Sequence, residues 1–105
     1  MNKQTLKKLE NMRPCFDGIK WAAKQPSRQA AWDKCTKGNW MLWLLRECVS
    51  GDDRFGELYD KMALYLDSKK CRWFCPDGVY SYVPDKILNQ MAKMVRKEYP
   101  KVPKF

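Results

Sequence analysis

The chain has 105 residues, of which 45% are hydrophobic and 13% aromatic, and its formal net charge is +9. A chain of this length supports one hydrophobic core, so we expect a single domain over residues 1–105. The sequence contains no histidine and no apolar stretch of about 18 residues that would cross a bilayer. This composition disfavours histidine-based catalysis and a membrane protein, and it favours a cytoplasmic protein.

The positive charge is concentrated at the two ends of the chain. Residues 1–25 carry six Lys and Arg against two acids, and residues 84–105 also carry six against two. A positive field attracts acidic proteins, nucleic acid and anionic membranes alike, and it also keeps a protein soluble. Charge alone therefore does not name a partner.

The helical spacing of apolar residues predicts three short helices at the start of the chain. They cover residues 5–12, 16–23 and 28–35, and a proline follows each of the first two. Ser27 is placed to cap the third helix, since its hydroxyl can accept a hydrogen bond from the first turn. These short helices should pack against the segment that follows.

Residues 40–49 are apolar nearly all round in their first two turns, which predicts a helix at the centre of the core. Gly38 should end the preceding helix in a left-handed conformation, and Asn39 should cap the new helix. We therefore expect residues 1–49 to form a tryptophan-rich core. Its predicted members are Trp21, Trp32, Trp40, Trp43 and Leu44.

The second half, residues 50–105, changes in character along its length. An amphipathic helix is predicted at 53–67, after a capping-box pattern that starts at Ser50. Two aromatic and β-branched runs flank a Pro-Asp-Gly turn and predict a β-hairpin near residues 71–83. A basic helix at 85–99 and an extended tail follow. The predicted fold is mainly α, a compact bundle of five or six short helices around the tryptophan-rich helix, with one hairpin.

The five cysteines are an odd number without a secretory signal, so free thiols are expected. Only Cys71 and Cys75 are close together, and without histidine a zinc site would need thiolates or a carboxylate alone. The chain also lacks a glycine-rich phosphate loop and a ready general base. We predict no metal, no cofactor, no catalytic residues and no enzymatic activity.

Two kinds of partner are compatible with the basic and aromatic residues of the second half. A protein with an acidic surface would meet the hairpin and the basic face of the last helix. Alternatively, a nucleic acid would stack its bases on hairpin aromatics and place its phosphates on the lysines. The same aromatics would otherwise anchor the hairpin to the helices. The residues assigned to the partner surface are Arg72, Phe74, Tyr80, Tyr82, Lys86, Lys93, Arg96 and Lys97.

The run from Ala31 to Leu45, A-W-x-x-C-x-x-G-N-W-M-L-W-L-L, resembles a signature of small helical proteins found in bacteriophage genomes and bacteria. Some members of this family are classed as immunity proteins of polymorphic toxin systems. The resemblance covers about residues 5–48, and Lys37 and Asn39 stand where the signature often has Arg and Asp. It implies a non-catalytic inhibitor in a bacterial cell or phage-infected host, which binds a toxin or a defence-system protein.

Overall fold

The structure is a computed structural model that describes residues 1–71 and 83–105. The described residues form six α-helices and no strand, so the predicted mainly α architecture is confirmed. The hairpin turn and its flanking runs, residues 72–82, lie outside the described residues. The helices are α1 (Lys3–Asn11), α2 (Phe16–Ala23), α3 (Arg28–Lys34), α4 (Gly38–Val49), α5 (Asp53–Ser68) and α6 (Asp85–Glu98).

The core lies between α4, α5 and α6, and α4 packs chiefly along α6. Each helix directs one apolar stripe inward, as the helical period requires. Burying a side chain of this kind contributes about 1.5–3 kcal/mol before the entropy cost of ordering it. The largest fully buried side chains are Leu45, Leu58, Met62, Leu66, Met91 and Val95. The centre of the fold is therefore aliphatic and methionine-rich.

Gly38 has a different role from the predicted one. It does not end α3 in a left-handed conformation but is the first residue of α4, where it lies against α6. A Cβ at this position would lie 2.3 Å from Met91 Cβ and 2.6 Å from the Ala92 nitrogen. The predicted Asn39 cap is also wrong, because Asn39 lies inside α4 and Lys37 precedes the helix. A tertiary contact, not a local stop signal, explains the glycine.

The structure confirms one predicted helix cap and contradicts another. Ser27 Oγ accepts a hydrogen bond of 3.1 Å from an amide of the first turn of α3, which confirms the predicted cap. The capping box predicted to start at Ser50 is wrong. Ser50 ends α4, and Asp52 caps α5 by accepting a hydrogen bond of 2.9 Å from the Arg54 amide.

The tail after α6 has no helical residue, as predicted, and it docks on α3. The buried Trp32 Nε1 donates to the Tyr99 carbonyl at 2.7 Å. Gln29 uses both ends of its amide, donating to the Pro100 carbonyl at 3.0 Å and accepting from the Val102 amide at 2.9 Å. Because these bonds satisfy backbone groups of an extended segment, the tail is held as part of the fold.

Candidate binding cleft

The five side chains predicted to form the tryptophan core lie at different depths. Trp32 is 3% exposed and belongs to the core. Trp21, Trp40 and Leu44 are half-buried and pack against the edge of the core, and Trp43 is half-buried as well. Of the four tryptophans predicted to lie in the core, only Trp32 is therefore buried.

These depths differ because one side of α4 packs in the core and the other side does not. Its buried residues include Met41, Leu42 and Leu45, which belong to the core that α4 shares with α5 and α6. Trp40, Trp43 and Leu44 lie on the remaining surface of α4. The helix is thus apolar nearly all round, as the sequence indicates, but only part of its circumference is covered.

The uncovered side of α4 forms part of a cleft with a volume of about 240 Å³. Its lining comes from α1 and α2, from α3 and α4, and from the tail. It is open to solvent, because half-buried indoles and the exposed residues Arg13 and Cys15 contribute to it. The apolar side chains of the lining include Leu9, Trp21, Trp40, Trp43, Leu44 and Phe105. A concave and aromatic site of this kind is typical of ligand-binding sites.

Side-chain contacts between α2 and α4 shape the cleft. The rings of Trp21 and Trp40 have centroids 6.0 Å apart and are tilted by 52°, a favoured arrangement for an aromatic pair. Gly18 lies beside this pair, and a Cβ there would be 3.7 Å from Trp40 and 3.1 Å from Cys15 Sγ. Because glycine has no side chain, Gly18 leaves space for the Trp40 ring and the Cys15 thiol.

The charged side chains that line the cleft are Arg13 and Arg28, and no Asp or Glu among the described residues contributes to the lining. Arg28 is held by the tail: its guanidinium donates to the Phe105 carbonyl at 2.7 Å and lies 5.1 Å from the centre of that ring. Arg13 is exposed, and its backbone has a φ of 58° directly after α1. The cleft is thus apolar inside and cationic at its charged positions.

The Cys35 thiol also belongs to the lining, but it is 4% exposed. Burial raises the pKa of this thiol, while a backbone hydrogen bond with Lys37 and the charges of Arg96 and Lys37 oppose the shift only in part. The thiol is therefore neutral near pH 7, and a neutral thiol is a poor nucleophile and metal ligand. Cys15, Cys35, Cys48 and Cys71 are all free thiols, and Cys75 lies outside the described residues.

No group of three metal-ligating side chains occurs within residues 1–71 and 83–105. In the same residues, no helix is long and apolar enough to cross a membrane. The predicted absence of a metal stays a prediction, because Cys75 belongs to the segment that the structure leaves undescribed.

The residues assigned to a partner surface divide into three groups. Lys86, Lys93 and Lys97 are exposed and share one face of α6, as their spacing of seven and four residues requires. Arg96 is half-buried and points elsewhere. The remaining four, on the predicted hairpin, lie outside the described residues: Arg72, Phe74, Tyr80 and Tyr82.

Arg96 has a structural position that the sequence pattern does not indicate. Its guanidinium donates to the Cys35 carbonyl at 2.7 Å and to the Trp32 carbonyl at 3.3 Å. These carbonyls lie at the C-terminal end of α3, where helical carbonyls lack partners in the helix itself. We therefore remove Arg96 from the predicted partner surface, because its charge is used to join α6 to α3.

The cleft itself was missed by sequence reasoning, which assigned its tryptophans to the core. One signal was available: five tryptophans in 105 residues are many for a single small core. Trp is highly buried on average but seldom completely buried, and it is enriched at binding hot spots. A helix that is apolar all round can therefore indicate a shared surface as well as a central position.

Protein-family models, curated proteins and solved structures were compared with this chain, and none of them matches it. The resemblance to phage and bacterial helical proteins consequently stays a prediction.

Proposed function

We propose that this chain is a non-catalytic protein-binding protein, encoded by a phage or bacterium, that inhibits or neutralises a defence-system or toxin protein by associating with it. The observation that carries this proposal is the open aromatic cleft that α1, α2, α3, α4 and the tail line. In the complex, the cleft receives a bulky apolar side chain of the partner protein. The partner has an acidic surface that complements the net charge of +9.

The half-buried indoles supply the energy for such an association. Trp21, Trp40 and Trp43 keep part of their apolar surface in contact with water. Covering that surface stabilises a complex by about 25 cal/mol per Å², before the cost of association is subtracted. Tryptophans in a pocket are also the residues most often found to dominate interface energetics. Binding of the partner thus covers the part of these rings that is exposed in the free chain.

The side chains of the cleft favour binding over catalysis. Its lining combines indoles and aliphatic groups with two arginines, and the chain has no histidine that would serve as a general base near neutral pH. The Cys35 thiol is buried and has a raised pKa, so it is not activated. This donor set can hold and orient a ligand but has no group suited to proton transfer near pH 7.

Nucleic-acid binding is a second candidate function, and the exposed lysine face of α6 favours it. Lys86, Lys93 and Lys97 could neutralise successive phosphates, with hairpin aromatics stacking on bases. Such binding weakens steeply as salt rises, because bound phosphates release counterions. The aromatic cleft has no role in that alternative, so substitutions in the cleft distinguish the two functions.

Affinity capture with matched variants tests the proposed function. The tagged wild-type chain, Trp43→Ala and Leu64→Ala are incubated with host lysate, with and without nuclease. Leu64 is a suitable control because it is a 70% exposed apolar residue of α5 outside the cleft. Wild type and Leu64→Ala should retain the same protein after nuclease treatment, while Trp43→Ala should retain about tenfold less.

Two results would contradict the proposed function. Equal capture by a folded Trp43→Ala variant would show that the cleft is not the contact surface. Loss of all captured material after nuclease treatment, together with a steep salt dependence, would instead identify a nucleic-acid-binding protein. Circular dichroism and thermal unfolding establish beforehand that each variant is folded.

A further inference from the structure

We infer that the cleft recognises an acidic apolar segment of the partner, in which a bulky aliphatic or aromatic side chain is flanked by Asp or Glu. This inference rests on the proposed function and adds the chemistry of the bound segment. It depends on one juxtaposition in the structure: an aromatic concavity whose charged side chains, among the described residues, are all cationic.

The part of the chain that forms the cleft carries an excess of positive charge. Arg13 and Arg28 line it, and no carboxylate side chain of the described residues does so. The segment that contributes α1 and α2, residues 1–25, carries six Lys and Arg against two acids. Opposite charge on the bound segment would accelerate encounter and fix its orientation, whereas a basic segment would be repelled.

Arg13 differs from Arg96 and Arg54 in the contacts of its side chain. Arg96 and Arg54 both have internal roles, since Arg96 bonds to the end of α3 and Arg54 donates to the Glu98 carbonyl and lies 5.2 Å from the Tyr99 ring centre. Arg13 makes no side-chain hydrogen bond or ion pair with any residue of the described chain. Its guanidinium is therefore available for a two-bond contact with a carboxylate.

The backbone holds Arg13 at the mouth of the cleft. Its amide donates to the Glu10 carbonyl at 3.0 Å, and its φ of 58° turns the chain sharply after α1. Pro14, which follows and also lines the cleft, restricts the next backbone angle. A charged side chain on a constrained turn loses less backbone entropy on binding than one on an unrestrained loop.

The site is divided into an apolar interior and a cationic edge. The half-buried indoles of Trp40 and Trp43 offer apolar contact inside the cleft, while Arg13 is exposed. A bound segment with an apolar side chain next to a carboxylate would contact the indoles and pair with Arg13 at the same time. A purely apolar segment would leave Arg13 without a partner as the interface excludes water, and that desolvation is costly.

Synthetic peptides that lack tryptophan provide the test, because the fluorescence of the protein's own indoles then reports binding. The first peptide is amphipathic, with leucines at positions i, i+3, i+4 and i+7 and with Asp and Glu elsewhere. A second peptide keeps the leucines but replaces the acids with Lys. A third keeps the acids but replaces the leucines with Ser. Each is titrated into the full chain at low and at moderate salt.

The acidic leucine peptide should change the indole fluorescence and bind with a Kd at least about tenfold lower than that of either control peptide. Arg13→Glu should weaken its binding about tenfold and reduce the salt dependence. Lys7→Glu is the matched control, because Lys7 is an exposed residue of α1 that does not line the cleft. It should change the Kd about twofold or less.

The outcomes separate this inference from the proposed function. Equal effects of Arg13→Glu and Lys7→Glu, or equal affinity for the acidic and basic leucine peptides, would overturn the acidic specificity and leave the apolar cleft intact. Failure of all three peptides to bind would overturn it as well. The proposed function fails separately, when Trp43→Ala captures the partner protein as well as wild type does. Arg13→Gln repeats the test without charge reversal if Arg13→Glu is poorly folded.

Discussion

The indole Nε1 of Trp32 donates a buried hydrogen bond of 2.7 Å to the carbonyl oxygen of Tyr99, which joins α3 to the residue directly after α6. Trp32 is 3% exposed, so water cannot replace this bond without local opening. The contact makes one tryptophan structural, whereas Trp43, on the cleft, is half-buried. The two indoles therefore predict different consequences of mutation.

Trp32→Phe should lower the free energy of unfolding by about 1–3 kcal/mol, because it leaves the buried Tyr99 carbonyl without its donor. Trp43→Phe is the matched control and should cost less than about 1 kcal/mol, since it keeps an aromatic ring at a half-buried position. Urea denaturation followed by circular dichroism measures both values. Equal losses in the two variants would contradict the structural role of the Trp32 bond.

Arg96→Ala should destabilise the chain by about 1.5–3 kcal/mol, because the Cys35 and Trp32 carbonyls lose a charged donor. Lys97→Ala, one residue away on the exposed side of α6, should stay within about 0.5 kcal/mol of wild type. Thermal unfolding compares the two variants. If Arg96→Ala were as stable as Lys97→Ala, Arg96 would be returned to the partner surface.

Gly38→Ala should be destabilising by about 1–3 kcal/mol even though alanine is the better helix former, because its Cβ would collide with the Met91 and Ala92 backbone region. Gly56→Ala is the control. Gly56 lies inside α5 and is exposed, and a Cβ at this position would meet nothing within 4 Å. The substitution should stabilise the chain by about 0.5–1 kcal/mol. Chemical denaturation should thus show shifts of opposite sign, and two shifts of the same sign would contradict the close crossing of α4 and α6.

Stability should decrease at alkaline pH, in part because burial raises the pKa of the Cys35 thiol above its ordinary value of 9.0. The folded chain keeps this proton to higher pH than the unfolded chain does. The stabilisation from this group is therefore complete below pH 9.0 and is lost as the pH rises through the folded-state pKa. Burial raises the pKa of Cys48 too, so this residue acts in the same direction.

Cys35→Ala should reduce the slope of stability against pH in the alkaline range, while below pH 9.0 it lowers stability by about 1 kcal/mol through lost packing. Urea denaturation at a series of pH values measures the slope. Parallel curves for Cys35→Ala and wild type would show that this thiol does not contribute to the pH dependence.

Simultaneous charge reversal of Lys86, Lys93 and Lys97 should weaken association with an acidic partner and reduce the salt dependence of binding, because all three are exposed on one face of α6. The fold should be retained, since the buried side of α6 is unchanged. Titration of the captured partner at two salt concentrations checks this result. Unchanged affinity would exclude this face from the interface, and retardation of labelled DNA by wild type alone would support the nucleic-acid alternative.

Several features follow from short-range sequence signals. Ser27 caps α3 through a hydrogen bond to a residue three positions away, and a cap of this kind can be recognised from the local sequence. The bounds of α6 and the extended tail follow in the same way from Pro84 and the later prolines. Ser50 shows the limit of this approach, because Asp52 offers a competing cap two residues later.

The candidate site was less predictable. The sequence marks Trp40, Trp43 and Leu44 as apolar, but their burial depends on which elements reach them. Lys93, Arg96 and Lys97 look alike in the sequence, and only the arginine meets the end of α3. No alternation or helical period distinguishes these cases.

By itself, the sequence determined the helical class, the order of the helices, a large excess of indole and a strongly basic surface, because these depend on composition and on contacts within a few residues. The tertiary structure decided that Gly38 is a crossing point, that Arg96 joins α6 to α3 and that three half-buried tryptophans border an open cleft. Each of these depends on segments that are distant in the chain, and the distance and direction of their approach are not encoded in any local pattern. Local contacts therefore explain the features predicted from the sequence, whereas contacts between distant segments form the cleft on which the proposed function rests.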